Sequence, residues 1–286
     1  MIEFFEALKS NPILLASLFA ALLASVSSGI IGSYVVVKRI VFISGSIAHS
    51  VLSGIGLSLW LERVQGVTWV SPLGGALVAA VLSALLLGWI HLHSREREDS
   101  VIAALWSIGM AIGVLFIAQT PGSNVELSNY LVGNILWVTP HDLKVLALLD
   151  LVILLVVFKY HRKFLILCFD ENQAALQGVR VKALYLLLLV LASITIVLLI
   201  QVVGVILVMT ILTVPAAIAG LFTFQMGRMM LVACLLSALF CLLGNVAAFS
   251  LDWPIGATIA LISGLAYIAS LVLCKVYPVI RSSPFS

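Results

Sequence analysis

Apolar runs of about membrane-spanning length follow one another along this chain, at 13–37, 40–60, 67–91, 100–118, 140–159, 183–200, 203–222, 228–250 and 254–276. About 20 apolar residues in a helix cross the roughly 30 Å of hydrocarbon in a bilayer. Inside that hydrocarbon no water is available to the backbone, so each run must satisfy its own N–H and C=O groups as helix. The expected fold class is therefore all-α, a polytopic membrane bundle of about nine helices, or eight if one of the shorter runs is re-entrant. Composition agrees. Charged residues make up 9% of the 286 and the mean hydropathy is +1.25, whereas a soluble domain carries about 25% charged residues. The runs leave no room for a soluble domain, so residues 1–286 are expected to form a single transmembrane domain.

Charge sets the expected orientation. With nine spans and the N-terminus outside, only Lys9, Arg63 and Lys144 of the 15 Lys and Arg fall on the outer side. Cytoplasmic loops carry the excess of Lys and Arg, which places the N-terminus outside and the C-terminus in the cytoplasm. The lead "MIEFFEALKSNP" is acidic and amphipathic and lacks the basic region and cleavage site of a secretory signal, so the first helix is expected to be retained. Cys168, Cys234, Cys241 and Cys274 form no C-x-x-C pair and read as small buried apolar residues. The net charge of +3 is divided among short loops, which argues against a nucleic-acid partner.

Gly, Pro and charge gather in the turns "LERVQG", "HSREREDS", "QTPGSNVELSN" and the long inner segment from "KYHRK" through "FDENQAALQGVRVK". In the last of these, Asp170 is placed to cap a short helix that ends at Gly178. Asp252, just before Pro254, is expected to cap the last helix.

The second run, "VFISGSIAHSVLSGIG", holds a histidine among small and aliphatic residues. On a 3.6-residue period Ser46, His49, Ser53 and Gly56 share one stripe. Two accounts stand side by side. Small residues permit close helix packing, with His49 bonded between helices. Alternatively His49 lines a pathway, because an ionisable group inside a membrane is costly and commonly marks a site. Asp150, inside the run 140–159, admits the same two readings. His91 and His93 form an H-x-H beside "SREREDS" that reads as a solvated loop before a metal site. Glu126, Asn129 and Asn134 lie on the outer side, where they could receive an ion or a docking protein.

The segment "SGIIGSYVVVKRIVFISGSIAHSVLSGIGLSLW" resembles the opening of the permease subunits of ATP-binding-cassette importers for zinc, manganese or iron. The resemblance is carried by Gly29, Gly32, Val36, Lys38 and Arg39, followed by Ala48, His49, Ser50, Gly54 and Ile55. Four further blocks resemble the family in the same order: "YLVGNILWVTPHDL", "FDENQAALQGVRV", "VVGVILVMTILTVPAAIA" and "DWPIGATIAL". Together they span about residues 13 to 275. One departure is Gly45, where many members carry an Asp four residues before the histidine.

The resemblance implies a permease that moves a divalent metal ion, zinc or manganese with iron as a third choice, into the cytoplasm across a bacterial inner membrane. It implies a second permease copy or a paralogue, a separate cytoplasmic ATPase, an extracytoplasmic metal-binding protein and surrounding lipid. His49, with Ser46 and Ser53, would form the metal pathway. The first candidate for the ATPase contact lies after Pro215, with Gly220 and Arg228, and the second lies at Asp170, Glu171 and Gly178. No G-x-x-x-x-G-K-[ST] loop occurs, so ATP belongs to the partner, and no resident cofactor is expected. Imidazole suits first-row divalent ions, whereas a Cu(I) conduit would need thiol or thioether groups that 41–60 lacks. The runner-up is a permease for vitamin B12 or siderophore-type chelates. A secondary transporter would show broken helices at matching positions of two halves, and no internal repeat is visible. A membrane enzyme would need a set such as H-E-x-x-H, which is absent.

Overall fold

The computed structural model describes residues 12–93, 98–122 and 138–276. Its helices, in chain order, are α1 (Pro12–Val37), α2 (Val41–Arg63), α3 (Pro72–His93), α4 (Glu98–Ala118), α5 (Pro140–Phe169), α6 (Glu171–Leu176), α7 (Val181–Phe222), α8 (Met226–Leu251) and α9 (Ile255–Val276). No strand occurs among the described residues. Seven of these helices, α1 to α4 and α7 to α9, are long and apolar enough to cross a membrane. The 42-residue α7 contains a non-helical Gly204, with φ 79° and ψ 162°, and is two helices joined at that glycine. The 30-residue α5 stands outside that set because Asp142, Lys144, Asp150 and Lys159 interrupt it. Counting α5 once and α7 as two, every expected run has its helix.

Local chemistry sets the ends. Pro72 and Pro140 occupy first-turn positions, where a missing N–H costs nothing. Thr139 and Asp142 bond reciprocally at the start of α5, the Thr139 amide to Asp142 Oδ2 at 2.9 Å and the Asp142 amide to Thr139 Oγ1 at 3.2 Å, a capping box. Asp252 departs from expectation. It closes α8 from a left-handed conformation at φ 54°, its amide donating to Ala248 O, and does not cap α9. The short polar side chain of Asp tolerates that region better than most residues. Pro215 does not end its helix, since α7 runs on to Phe222 before a turn at 223–225.

Contacts divide the described chain into two units: one of 12–37, 138–156 and 202–276, the other of 38–93, 98–122 and 157–201. In the first, α8 packs along α1 and α9. Small residues carry the approach: a Cβ on Gly29 would lie 2.6 Å from the Cys234 amide, and one on Gly32 would collide with the Leu212 carbonyl. In the second, α2 packs against both α3 and α4. Lipid tails are as apolar as Leu, so helices in a bilayer associate through close packing of this kind and through interhelical hydrogen bonds.

Candidate functional site

The small residues of α2 are used on two sides. A Cβ at Gly54 would collide with Gly75 O of α3. Toward α4, a Cβ on Gly56 would lie 2.6 Å from Gly113 O, and one on Gly109 would lie 2.7 Å from Ser50 Cα. Ser46 belongs to the α4 seam as well. It is fully buried, and its hydroxyl donates to Ile102 O at 3.1 Å. Ser50 is also buried and donates to Ser46 O at 2.8 Å. The stripe that begins at Ser46 is thus a helix–helix seam, with neither Ser46 nor Gly56 on an open surface.

His49 stands at the rim of that seam. Its ring is half-buried and stacks on Trp106 of α4, with centroids 4.4 Å apart and planes inclined by 16°. One face of the imidazole is therefore occupied while part of the ring stays open. Ser53, also half-buried, donates to Ser50 O at 2.7 Å and lines a cavity of about 600 Å³ between α2 and α3. His49 is not among that cavity's walls. Gly45 is buried one turn before His49 and supplies no donor side chain. Among the described residues no three His, Cys, Asp or Glu side chains cluster to hold a metal. Within α2, His49 is the single imidazole.

The α5–α7 connection is built more firmly. Asp170 accepts from the amides of Asn172 and Gln173 at 2.9 and 3.0 Å, which starts α6. Gly178, at φ 74°, follows its end. Lys38, at the turn between α1 and α2, reaches across to Glu171 Oε1 at 2.5 Å and to Leu167 O at 3.1 Å. Its ammonium also lies 5.9 Å from the Tyr185 ring centroid. The sequence marks Lys38 only as part of a family stretch, whereas the structure makes it the tie that holds α6.

The remaining expectations scatter. A Cβ on Gly220 would lie 3.3 Å from Met229 Cε, and Arg228 is exposed in the first turn of α8. His91 stacks on Tyr185 at 4.7 Å and His93 on Trp89 at 5.4 Å, so the two imidazoles address different partners. Asp150 is 6% exposed, beside Ser27 and Cys234 in the first unit. Glu126, Asn129 and Asn134 lie outside the described residues.

A bundle of long apolar helices, with one half-open imidazole in a span and a capped polar helix between two others, is the architecture of a multi-pass membrane protein. Residues 10–274 match the ABC 3 transport family, and the chain belongs to that family. It is 50% identical over 274 residues to the "Probable metal transport system membrane protein" of Chlamydia pneumoniae, covering 96% of this chain and 93% of that one. It is 31% identical over 268 residues to the manganese import system permease protein ScaB of Streptococcus parasanguinis, covering 94% and 93%. Its fold is similar to that of PsaBC from Streptococcus pneumoniae, solved in complex with Fab, with a TM-score of 0.83 at 28% identity over 94% of this chain and 95% of that one. The chain is accordingly the membrane permease of an ATP-binding-cassette system, a multi-pass protein of the bacterial inner membrane.

Proposed function

We propose that this permease imports a first-row divalent metal ion, zinc or manganese before iron, and that His49 is the side chain the ion meets in the membrane. The observation that carries this reading is the half-open His49 ring, held by Trp106 in a stretch, residues 41–59, whose other polar side chains are serine hydroxyls. An ionisable group partly exposed at membrane depth must face protein or water. A second copy across a two-fold axis supplies that cover and a second imidazole, with Ser53 one turn further on. Ser46, closed within the α4 seam, holds the helix and does not touch the ion. Neutral imidazole is a good ligand for such ions, and a conduit benefits from ligation weak enough to release its cargo.

High-affinity capture then falls to an extracytoplasmic binding protein and hydrolysis to a cytoplasmic ATPase, with the N-terminus outside. The ATPase contact is α6 with Asp170, Glu171 and Gly178, because this segment alone of the two expected sites forms a separate capped helix. The segment around Gly220 and Arg228 continues α7 into α8. The metal relatives favour this reading over a chelate permease. Uptake of zinc, manganese and iron, measured separately in cells lacking the permease and complemented with it, tests the proposal. Rescue by none of the three ions, with a bulky chelate taken up instead, overturns it.

A further inference from the structure

At 30 residues, α5 is about 45 Å long, well beyond the roughly 30 Å of hydrocarbon. The surplus belongs at its C-terminal end, where basic residues gather. Phe158, 91% exposed, marks the lipid-facing side, and Lys159, Arg162 and Lys163 follow immediately. Lys159 and Lys163 both lie over the Tyr160 ring, at 5.3 and 5.7 Å from its centroid. Against this corner sits a cavity of about 410 Å³, whose walls include Tyr160, Lys163, Gly178, Arg180, Leu184 and Leu187. Two cations face it, and no carboxylate lines it. Neither Lys163 nor Arg180 has a carboxylate partner among the described residues, where the ion pair is Lys38–Glu171. Leu184 and Leu187 lie one turn apart on α7 and carry the wall away from the charged end along the helix.

We propose that this cavity binds an anionic phospholipid, its phosphate between Lys163 and Arg180 and an acyl chain along Leu184 and Leu187. Basic pockets between helices at the membrane surface suit anionic headgroups. A free phosphate would satisfy the two cations and leave the leucine wall unused, whereas a zwitterionic lipid would bring its own ammonium against them. Gln177 and Gly178 border the same cavity, so the lipid would brace the corner that follows α6. This site is independent of the metal carried and of His49.

The test uses the full-length permease in neutral detergent without its ATPase, with native mass spectrometry to count retained lipid and thermal unfolding to follow stability. Phosphatidylglycerol is expected to be retained and to raise the melting temperature, with phosphatidylcholine and inorganic phosphate each giving a smaller shift. Lys163→Gln with Arg180→Gln should weaken retention about thirty-fold, which is about 2 kcal/mol for two surface cations. Lys163→Arg with Arg180→Lys should restore it. Leu187→Glu, which leaves both cations in place, should also lose the lipid. Undiminished retention by the glutamine pair or by Leu187→Glu overturns the proposal, as does an equal shift from phosphatidylcholine. An equal shift from inorganic phosphate overturns it in favour of a simple anion site.

Discussion

Replacing His49 by Phe and by Ala separates the imidazole's chemistry from its packing. The ring lies 4.4 Å from Trp106 at 16°, near the close end of the range for aromatic pairs, which are worth about 0.5–1.5 kcal/mol beyond area burial. His49→Ala forfeits that stack and the burial of half a ring, so a loss of about 1–2 kcal/mol is expected. His49→Phe keeps a flat ring over Trp106 and removes both nitrogens, so its stability should stay within about 0.5 kcal/mol of wild type. If the nitrogen contacts the ion, uptake per folded complex falls at least about tenfold in both variants, the equivalent of 1.4 kcal/mol of lost ligation. The assay is uptake of labelled manganese or zinc into proteoliposomes containing the permease and its ATPase, normalised to monodisperse complex and paired with thermal unfolding. Wild-type uptake per complex by His49→Phe would refute the pathway role and leave His49 as part of the α2–α4 seam.

Gly109→Val should destabilise the protein by about 1–3 kcal/mol, because a Cβ there meets Ser50 Cα at 2.7 Å and backbone must yield; an unchanged melting temperature would contradict the seam. Lys38→Met removes the bonds to Glu171 and Leu167 O and should lower metal moved per ATP hydrolysed more than it lowers hydrolysis itself. Glu171→Gln should do so more mildly, since Glu171 is 37% exposed against 12% for Lys38; equal coupling in all three proteins would remove the tie from the mechanism. The purified permease should hydrolyse no ATP until the separate subunit is added, and robust hydrolysis by the chain alone would refute the division of labour. Cross-linkers placed at 171–178 should capture the ATPase more readily than those at 220–228, and the reverse ranking would move the contact to the α7–α8 turn.

Much of this architecture is legible in the sequence because a bilayer leaves few choices. Apolar length fixes the spans, and Asp170 and Gly178 fix α6 through a cap and a left-handed glycine. Periodicity carries less. It assigns Ser46, His49, Ser53 and Gly56 to one side of α2 but says nothing of which neighbour covers that side, and α4 covers Ser46 and Gly56 while leaving His49 half-open. Trp106 escapes notice for a related reason: an aromatic in an apolar run looks like any lipid-facing residue until its partner helix is known. Its stripe was nonetheless visible, since Ile102, Trp106, Gly109 and Gly113 recur at helical spacing. Asp252, two residues before a proline, is placed equally well to end one helix or to begin the next, and its left-handed backbone decides in favour of the first. Pro215 stands inside the expected run 203–222, and the helix continues through it because neighbouring helices in a membrane can re-satisfy the groups a proline frees.

The helix that presents His49 begins three residues after the lysine that holds α6. From Val41 to His49 is eight residues of continuous helix, about 12 Å, and the glycine contacts on α3 and α4 oppose bending within α2. Lys38 binds both Glu171 in α6 and Leu167 O in α5, so displacement of α6 pulls on the root of α2. With the ATPase seated on α6, as proposed, the shortest route for mechanical work from nucleotide to metal runs through Lys38 and along α2 as a rigid rod, all within one compact unit. Such a rod needs no second ligand on the same chain. Shifting one imidazole relative to its copy across a two-fold axis alters the distance between two weak donors, and that alone can release an ion that neither holds tightly. On the proposed pathway Gly45 leaves each copy with its imidazole alone, where many members of the family add a carboxylate one turn earlier, so release here depends on the separation of the two imidazoles.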